Sequence, residues 1–172
     1  MPNKVDRILE SIKANAGNAI YENVIRTCGL LDEKATPNRQ SKYLKIMLDA
    51  LALENDCGSD IVLKVMKPCG HKCISENIIK KAKLLYSKAK TMDDFLQLLN
   101  EQRIGGGKLH IRDSVIIGVY DVCYCGIAKQ ADGISPQYCN CSVGWYERLF
   151  TSVFEKPVEV KKIQTILDGS DK

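Results

Sequence analysis

The chain has 172 residues, of which 45% are hydrophobic and 27% charged, with a net charge of +4, eight cysteines and two histidines. That length suits one domain, residues 1–172, with a single sizeable core. No apolar run approaches the roughly 20 residues of a membrane-spanning helix and the N-terminal stretch has no apolar leader segment, so the expected compartment is the cytoplasm, with no membrane partner.

Taken in order, Val5, Ile8, Leu9 and Ile12 recur at helical spacing, and residues 3–14 read as an amphipathic helix. Gly17 interrupts, and a second helix over 18–28 carries Ile20, Val24, Ile25 and Cys28 on one face, with Gly29 as its C-cap. Residues 30–39 read as a loop. A third helix over 40–54 buries Tyr43, Ile46, Met47, Ala50 and Leu51. Cys28 and Cys57 read as small buried residues or loop thiols. After a turn at 55–60, a short helix over 61–67 is expected to stop at Pro68. Cys69 and Cys73 follow, with Gly70 allowing a tight fold between them.

Ser75 is placed to cap a helix whose apolar face is Ile78, Ile79, Ala82, Leu85, Tyr86 and Ala89. Thr91 with Asp94 forms the pattern of a capping box before Phe95, Leu96, Leu98 and Leu99. Eight lysines against one acid, Glu76, lie between Lys64 and Lys90. They read as a solvated face, because an arginine-rich, aromatic-interleaved nucleic-acid pattern is missing.

Gly105, Gly106 and Gly107 end the helical part, residues 1–104, and the period then falls from 3.6 to 2. Residues 108–112, a turn at Asp113 and Ser114, and residues 115–120 read as a β-hairpin. Ser142 would cap a last helix bearing Tyr146, Leu149, Phe150 and Val153, and residues 158–161 alternate as a further strand. The fold class expected is α+β, a helical N-terminal half packed on a small antiparallel sheet, with residues 105–172 supplying the hairpin, a cysteine loop, a helix and a strand.

Six of the eight cysteines fall in three tight pairs: Cys69 with Cys73, Cys123 with Cys125, and Cys139 with Cys141. On a strand, residues i and i+2 share a face, so Cys123 and Cys125 would present two sulfurs together. Cys139 and Cys141 precede a helix N-terminus, where thiolates are favoured. Four such thiolates would suit zinc, or an iron–sulfur cluster as the alternative, with Cys69 and Cys73 as further ligands. His71 is a candidate ligand or proton-transfer group, and His110 reads as a solvated strand residue. The sequence holds no Ser/His/Asp nucleophile pattern, no recognisable carboxylate pair and no dinucleotide fingerprint.

The segment from Tyr138 to Phe150, followed by Lys156-Pro157-Val158-Glu159-Val160 and Ile163 to Gly169, resembles a group of cysteine-rich bacterial and archaeal proteins of unknown function. More distantly it resembles the 4-vinyl-reductase-type hydrocarbon-binding domain. The likeness spans about residues 66–169. It implies ligand binding or sensing, with a metal, and no established reaction. The family pattern would continue past Lys172 with a cysteine and a last strand.

The leading expectation is therefore a non-catalytic metal-binding domain that holds a small apolar ligand. The metal would be held by Cys69, Cys73, Cys123, Cys125, Cys139 and Cys141. The ligand cavity, or the core, would be lined by Trp145, Leu149 and Phe150, with Val115, Ile117 and Val119 of the hairpin. A thiol–disulfide redox enzyme and a zinc-stapled interaction domain are the rivals. An exposed helical face could support a homodimer.

Overall fold

A computed structural model of the chain describes residues 4–54, 58–122, 124–128 and 133–168, with residues 58–60 described by their backbone alone. Cys57 and residues 55–57 of the turn expected at 55–60, together with Cys123 and Gly169, lie outside the described residues, and residues 58–60 of that turn are helical. Seven helices and one hairpin carry the fold among the described residues: α1 (Lys4–Asn15), α2 (Asn18–Cys28), α3 (Pro37–Leu53), α4 (Gly58–Cys73), α5 (Glu76–Lys88), α6 (Met92–Glu101), β1 (Leu109–Arg112), β2 (Val115–Gly118) and α7 (Asn140–Phe154). The class is α+β, as the change of period indicates. None of the described helices is long and apolar enough to cross a membrane.

Local chemistry sets most of the helix ends. The Thr36 hydroxyl accepts the Arg39 N–H with Pro37 in the first turn, so α3 begins three residues earlier than its apolar stripe suggests. Ser75 caps α5 through the Ile78 N–H. At α6 both halves of the capping box form, Asp94 N–H to Thr91 and Thr91 N–H to Asp94.

Other ends also differ from expectation. Helix α4 does not stop at Lys67 but runs through Pro68 to Cys73. The missing proline N–H costs one helical hydrogen bond. Burial of Val62, Val65, Met66 and Cys69 against the first core, with α7 packed alongside, outweighs that loss. Helix α7 begins at Asn140 rather than after Ser142, because a 3-10 turn over Pro136–Cys139, opened by Ser135 accepting the Gln137 N–H, feeds directly into it.

Two apolar clusters form the interior. The first joins α1, α2, α3 and α4 around Ile8, Ile12, Leu44, Met47, Leu51 and Met66, and Tyr138 completes it. The second lies between α5, α6, β1 and the later turns of α7, around Ile79, Phe95, Leu99, Leu109, Leu149 and Phe150.

The α4–α7 pair joins the two clusters, and two glycines let these helices touch backbone to backbone. A methyl group on Gly70 would run into the Cys141 carbonyl, and one on Gly144 into the Lys67 carbonyl. Gly70 therefore serves helix packing and not a tight fold between Cys69 and Cys73.

Gly105, Gly106 and Gly107 take φ of 73°, 84° and 78°, which turns the chain from α6 into β1. The Asn100 side chain fixes the strand start, donating to the Leu109 carbonyl at 2.8 Å and accepting the Leu109 N–H at 2.7 Å. Asp113 and Ser114, at φ 49° and 62°, form the left-handed two-residue turn that suits a twisted hairpin.

The hairpin register pairs Leu109 with Gly118 and Ile111 with Ile116. Ile116 packs on the second cluster while Val115 is 60% exposed, so the inward face is the alternate of the one expected. Residues 158–161 form no ladder among the described residues. Glu159 and Lys161, both exposed, pair with each other, and Val158 alone of this stretch packs against the second cluster.

Candidate functional site

The apolar stripe of α1 fixes what its first residue meets. Val5, Ile8 and Ile12 are fully buried and lay α1 along α4. Lys4, one position before Val5, is thereby carried to the C-terminal end of α4 and to the segment that follows the hairpin. Its ammonium donates to Cys125 Sγ at 3.1 Å and lies 5.2 Å above the Tyr138 ring.

Cys125 is half-buried, and its sulfur is 3.2 Å from the Tyr138 hydroxyl. The Ala128 backbone also acts on this sulfur and favours its ionised form. Lys4, the Tyr138 hydroxyl and the Ala128 backbone therefore converge on one thiol. Burial is the largest single influence and pushes the Cys125 thiol up, but the Lys4 charge and the hydrogen bonds from Tyr138, Ala128 and Lys4 together outweigh it, and the net shift is downward.

The partners titrate consistently with that assignment. Burial would strip the proton from Lys4, yet the surrounding thiols more than offset it and the ammonium is held above its ordinary range. Tyr138 is only 1% exposed, and burial with the neighbouring Cys125 charge drives its phenol far up, so it stays a donor. Cys141 is pushed up to about 12 by burial. Cys141 and Cys125 are thus pushed in opposite directions beside one ammonium.

This group opens on a cavity of about 490 Å³ whose wall includes Lys4, Gln40, Cys73, Tyr124, Cys125 and Ile127. The geometry supplies a thiol held down by its neighbours, an adjacent ammonium and an open pocket beside them.

The expected metal-binding domain is not built. Among the described residues no group of three or more His, Cys, Asp or Glu side chains is placed to hold a metal ion. None of the described cysteines is joined to another in a disulfide. The reason lies in where each pair points. Cys69 and Cys73 follow one another around α4 to different surroundings. Cys69 is buried in the first cluster, its thiol directed at the Val65 and Arg7 carbonyls and pushed up by burial, whereas Cys73 is exposed at the cavity.

Cys141 lies at the α4–α7 crossing and Cys139 is the N-cap residue of α7. Cys123 lies outside the described residues. What the thiols of Cys73, Cys125 and Cys141 share is the neighbourhood of the Lys4 ammonium, which each one favours when ionised. No disulfide links the described cysteines, and the Cys123–Cys125 pair named for the redox rival lies partly outside them.

Trp145, Leu149 and Phe150, expected on a ligand cavity or in the core, belong to the second cluster. Leu149 and Phe150 are core residues and Trp145 packs beside them. The rings of Tyr146, Phe150 and Phe154 stack in succession along α7. His110 is exposed on β1, as its alternation indicates.

His71, singled out from sequence as a ligand or proton-transfer candidate, faces Glu147 on α7. Its Nε2 is 2.8 Å from Glu147 Oε2, and Lys67 Nζ is 2.7 Å from Glu147 Oε1. Burial pushes the Glu147 carboxyl up, but the hydrogen bonds and charges of Lys67 and His71 outweigh it and hold it below the usual carboxylate value. An ionised carboxylate only accepts, so His71 Nε2 carries the proton of that bond.

Sequence reasoning did not find Lys4 or Tyr138. The one signal for Lys4 was its place at the head of the α1 stripe, and nothing local in the sequence names its partners.

Residues 2–172 match the model of a family described as "Family of unknown function (DUF6144)". No curated protein matches the chain, and no solved structure does.

Proposed function

The chain belongs to that family, whose description carries no activity, and from its own side chains we propose that it is a cysteine-nucleophile protein acting on a carbon electrophile. Cys125 is the nucleophile, Lys4 the cation that keeps it ionised and Tyr138 the buried donor that orients the sulfur. The observation that carries this reading is the 3.1 Å contact between Lys4 Nζ and Cys125 Sγ at the wall of a cavity of about 490 Å³. A thiolate, not a thiol, forms the new bond. Cys125 supplies the electron pair for the carbon–sulfur bond, and the ammonium of Lys4 is placed to return a proton to the leaving or carbonyl-derived atom.

The other described cysteines provide the contrast. Cys28, Cys69 and Cys141 are all pushed up by burial, so each holds its proton at neutral pH. The test is limiting iodoacetamide on the native, reduced protein at pH 7, followed by peptide mapping. Cys125 is expected to take the first label, ahead of the more exposed Cys73. Equal labelling of Cys73 and Cys125, or earlier labelling of Cys73, would show that exposure alone governs reactivity and would end the proposal.

A further inference from the structure

A second cavity, of about 330 Å³, lies on the other flank of the α4–α7 pair and is lined by His71, Glu147, Arg148, Thr151, Ser152, Pro157 and Val158. It is independent of the Cys125 site. Its volume is near the lower end of the roughly 300–1,000 Å³ of small-molecule sites.

The polar groups on its wall are partly committed and partly free. Arg148 donates from Nη1 to the His71 carbonyl and from Nη2 to Glu76. A guanidinium carries five N–H donors, so three are without a partner among the described residues. Thr151 and Ser152 follow Arg148 by three and four positions on α7, which places all three on one face of the helix. Neither hydroxyl has a hydrogen-bond partner among the described residues. Each Glu147 oxygen takes one partner, Lys67 on Oε1 and His71 on Oε2, and each keeps a free lone pair.

A positive donor set and a negative acceptor set thus sit side by side on one wall, with Pro157 and Val158 as an apolar wall beside them. A simple anion would meet the Glu147 carboxylate, and a simple cation would meet Arg148. A molecule that carries both charges one or two bonds apart uses both. We propose that this cavity binds a small zwitterionic α-amino acid with an apolar side chain. Its carboxylate would lie on Arg148 and the Thr151 and Ser152 hydroxyls, its ammonium on Glu147 and its side chain on Pro157 and Val158.

The probes are L-leucine, 4-methylpentanoate, which lacks the ammonium, and 3-methylbutan-1-amine, which lacks the carboxylate. Binding is measured by calorimetry on the full chain. L-Leucine is expected to saturate, with each one-charge probe about tenfold weaker, the usual scale for losing one charge-assisted contact. Arg148→Gln is expected to bring L-leucine down to the level of the amine. Because Arg148 also holds the His71 carbonyl, Ser152→Ala serves as the milder variant, expected to weaken L-leucine and 4-methylpentanoate about threefold while leaving the amine unchanged. No saturable heat with L-leucine up to about 10 mM would overturn the proposal. So would equal binding of 4-methylpentanoate, or a folded Ser152→Ala variant that binds all three probes as the native chain does.

Discussion

Replacing Lys4 with methionine removes the ammonium and keeps most of the side-chain volume, so it isolates the charge. At the 3.1 Å separation from Cys125 Sγ, two unit charges interact by about 5 kcal/mol at an effective dielectric of 20, and by about 1 kcal/mol in water. The sulfur is half-buried, which places the effect between those limits. One pKa unit corresponds to about 1.4 kcal/mol, so the Cys125 thiol is expected to rise by about 1–3 units in Lys4→Met. The thiolate fraction at neutral pH then falls roughly tenfold for each unit once the midpoint lies above the assay pH. The greater nucleophilicity of a more basic thiolate returns part of that loss.

The assay is the rate of Cys125 alkylation between about pH 5 and 10, read by peptide mapping with Cys73 as the internal reference. Lys4→Arg keeps the charge and is expected to leave the midpoint close to native. A Lys4→Met midpoint within about half a unit of the native one, or a Lys4→Arg midpoint equal to that of Lys4→Met, would refute the assignment of Lys4 as the activating cation.

Three further outcomes follow from the packing. Gly144→Ala drives a methyl group into the Lys67 carbonyl where α7 crosses α4, and it is expected to cost about 2–4 kcal/mol in chemical unfolding at unchanged m-value. Asn100→Ala removes both hydrogen bonds to the Leu109 backbone, with an expected loss of about 1–3 kcal/mol and faster amide exchange at Leu109. Glu147 has a folded pKa below its unfolded value, so its contribution is fully present above the ordinary carboxylate pKa and is lost as pH falls through the lower folded value. Native protein is therefore expected to lose stability relative to Glu147→Gln as pH drops below about 5, and parallel stability profiles from pH 7 to 3 would remove that reasoning.

The helices were legible because their signals are local. The stripe Val5, Ile8 and Ile12, the caps at Ser75 and Thr91, and the left-handed turn at Asp113 and Ser114 each act within a few residues. What failed was set by partners distant in sequence. Pro68 is a stop signal taken alone, but the burial on either side of it carries α4 onward to Cys73. Residues 158–161 alternate like a strand, yet no described edge pairs with them. The hairpin face was misjudged by one residue, because Val115 and Ile116 are equally apolar and only the pairing of Leu109 with Gly118 decides which points inward.

The cysteine pattern shows the same limit in sharper form. Spacing suggested a shared metal for these thiols, whereas Cys73, Cys125 and Cys141 lie near one ammonium, that of Lys4. Spacing cannot say what cation those thiols face, and here it is a side chain from the opposite end of the sequence. The α4–α7 crossing decides the rest. Gly70 and Gly144 bring the two backbones into contact, which sets Cys141 on one flank with Cys73 and Lys4, and Glu147 on the other with His71 and Lys67. A bulkier residue at either glycine would have to part the helices, and both candidate sites would lose their geometry together. A Gly144→Ala chain that still folds should therefore slow Cys125 alkylation and weaken the second cavity at once. Independent loss of one without the other would mean that the crossing does not position both.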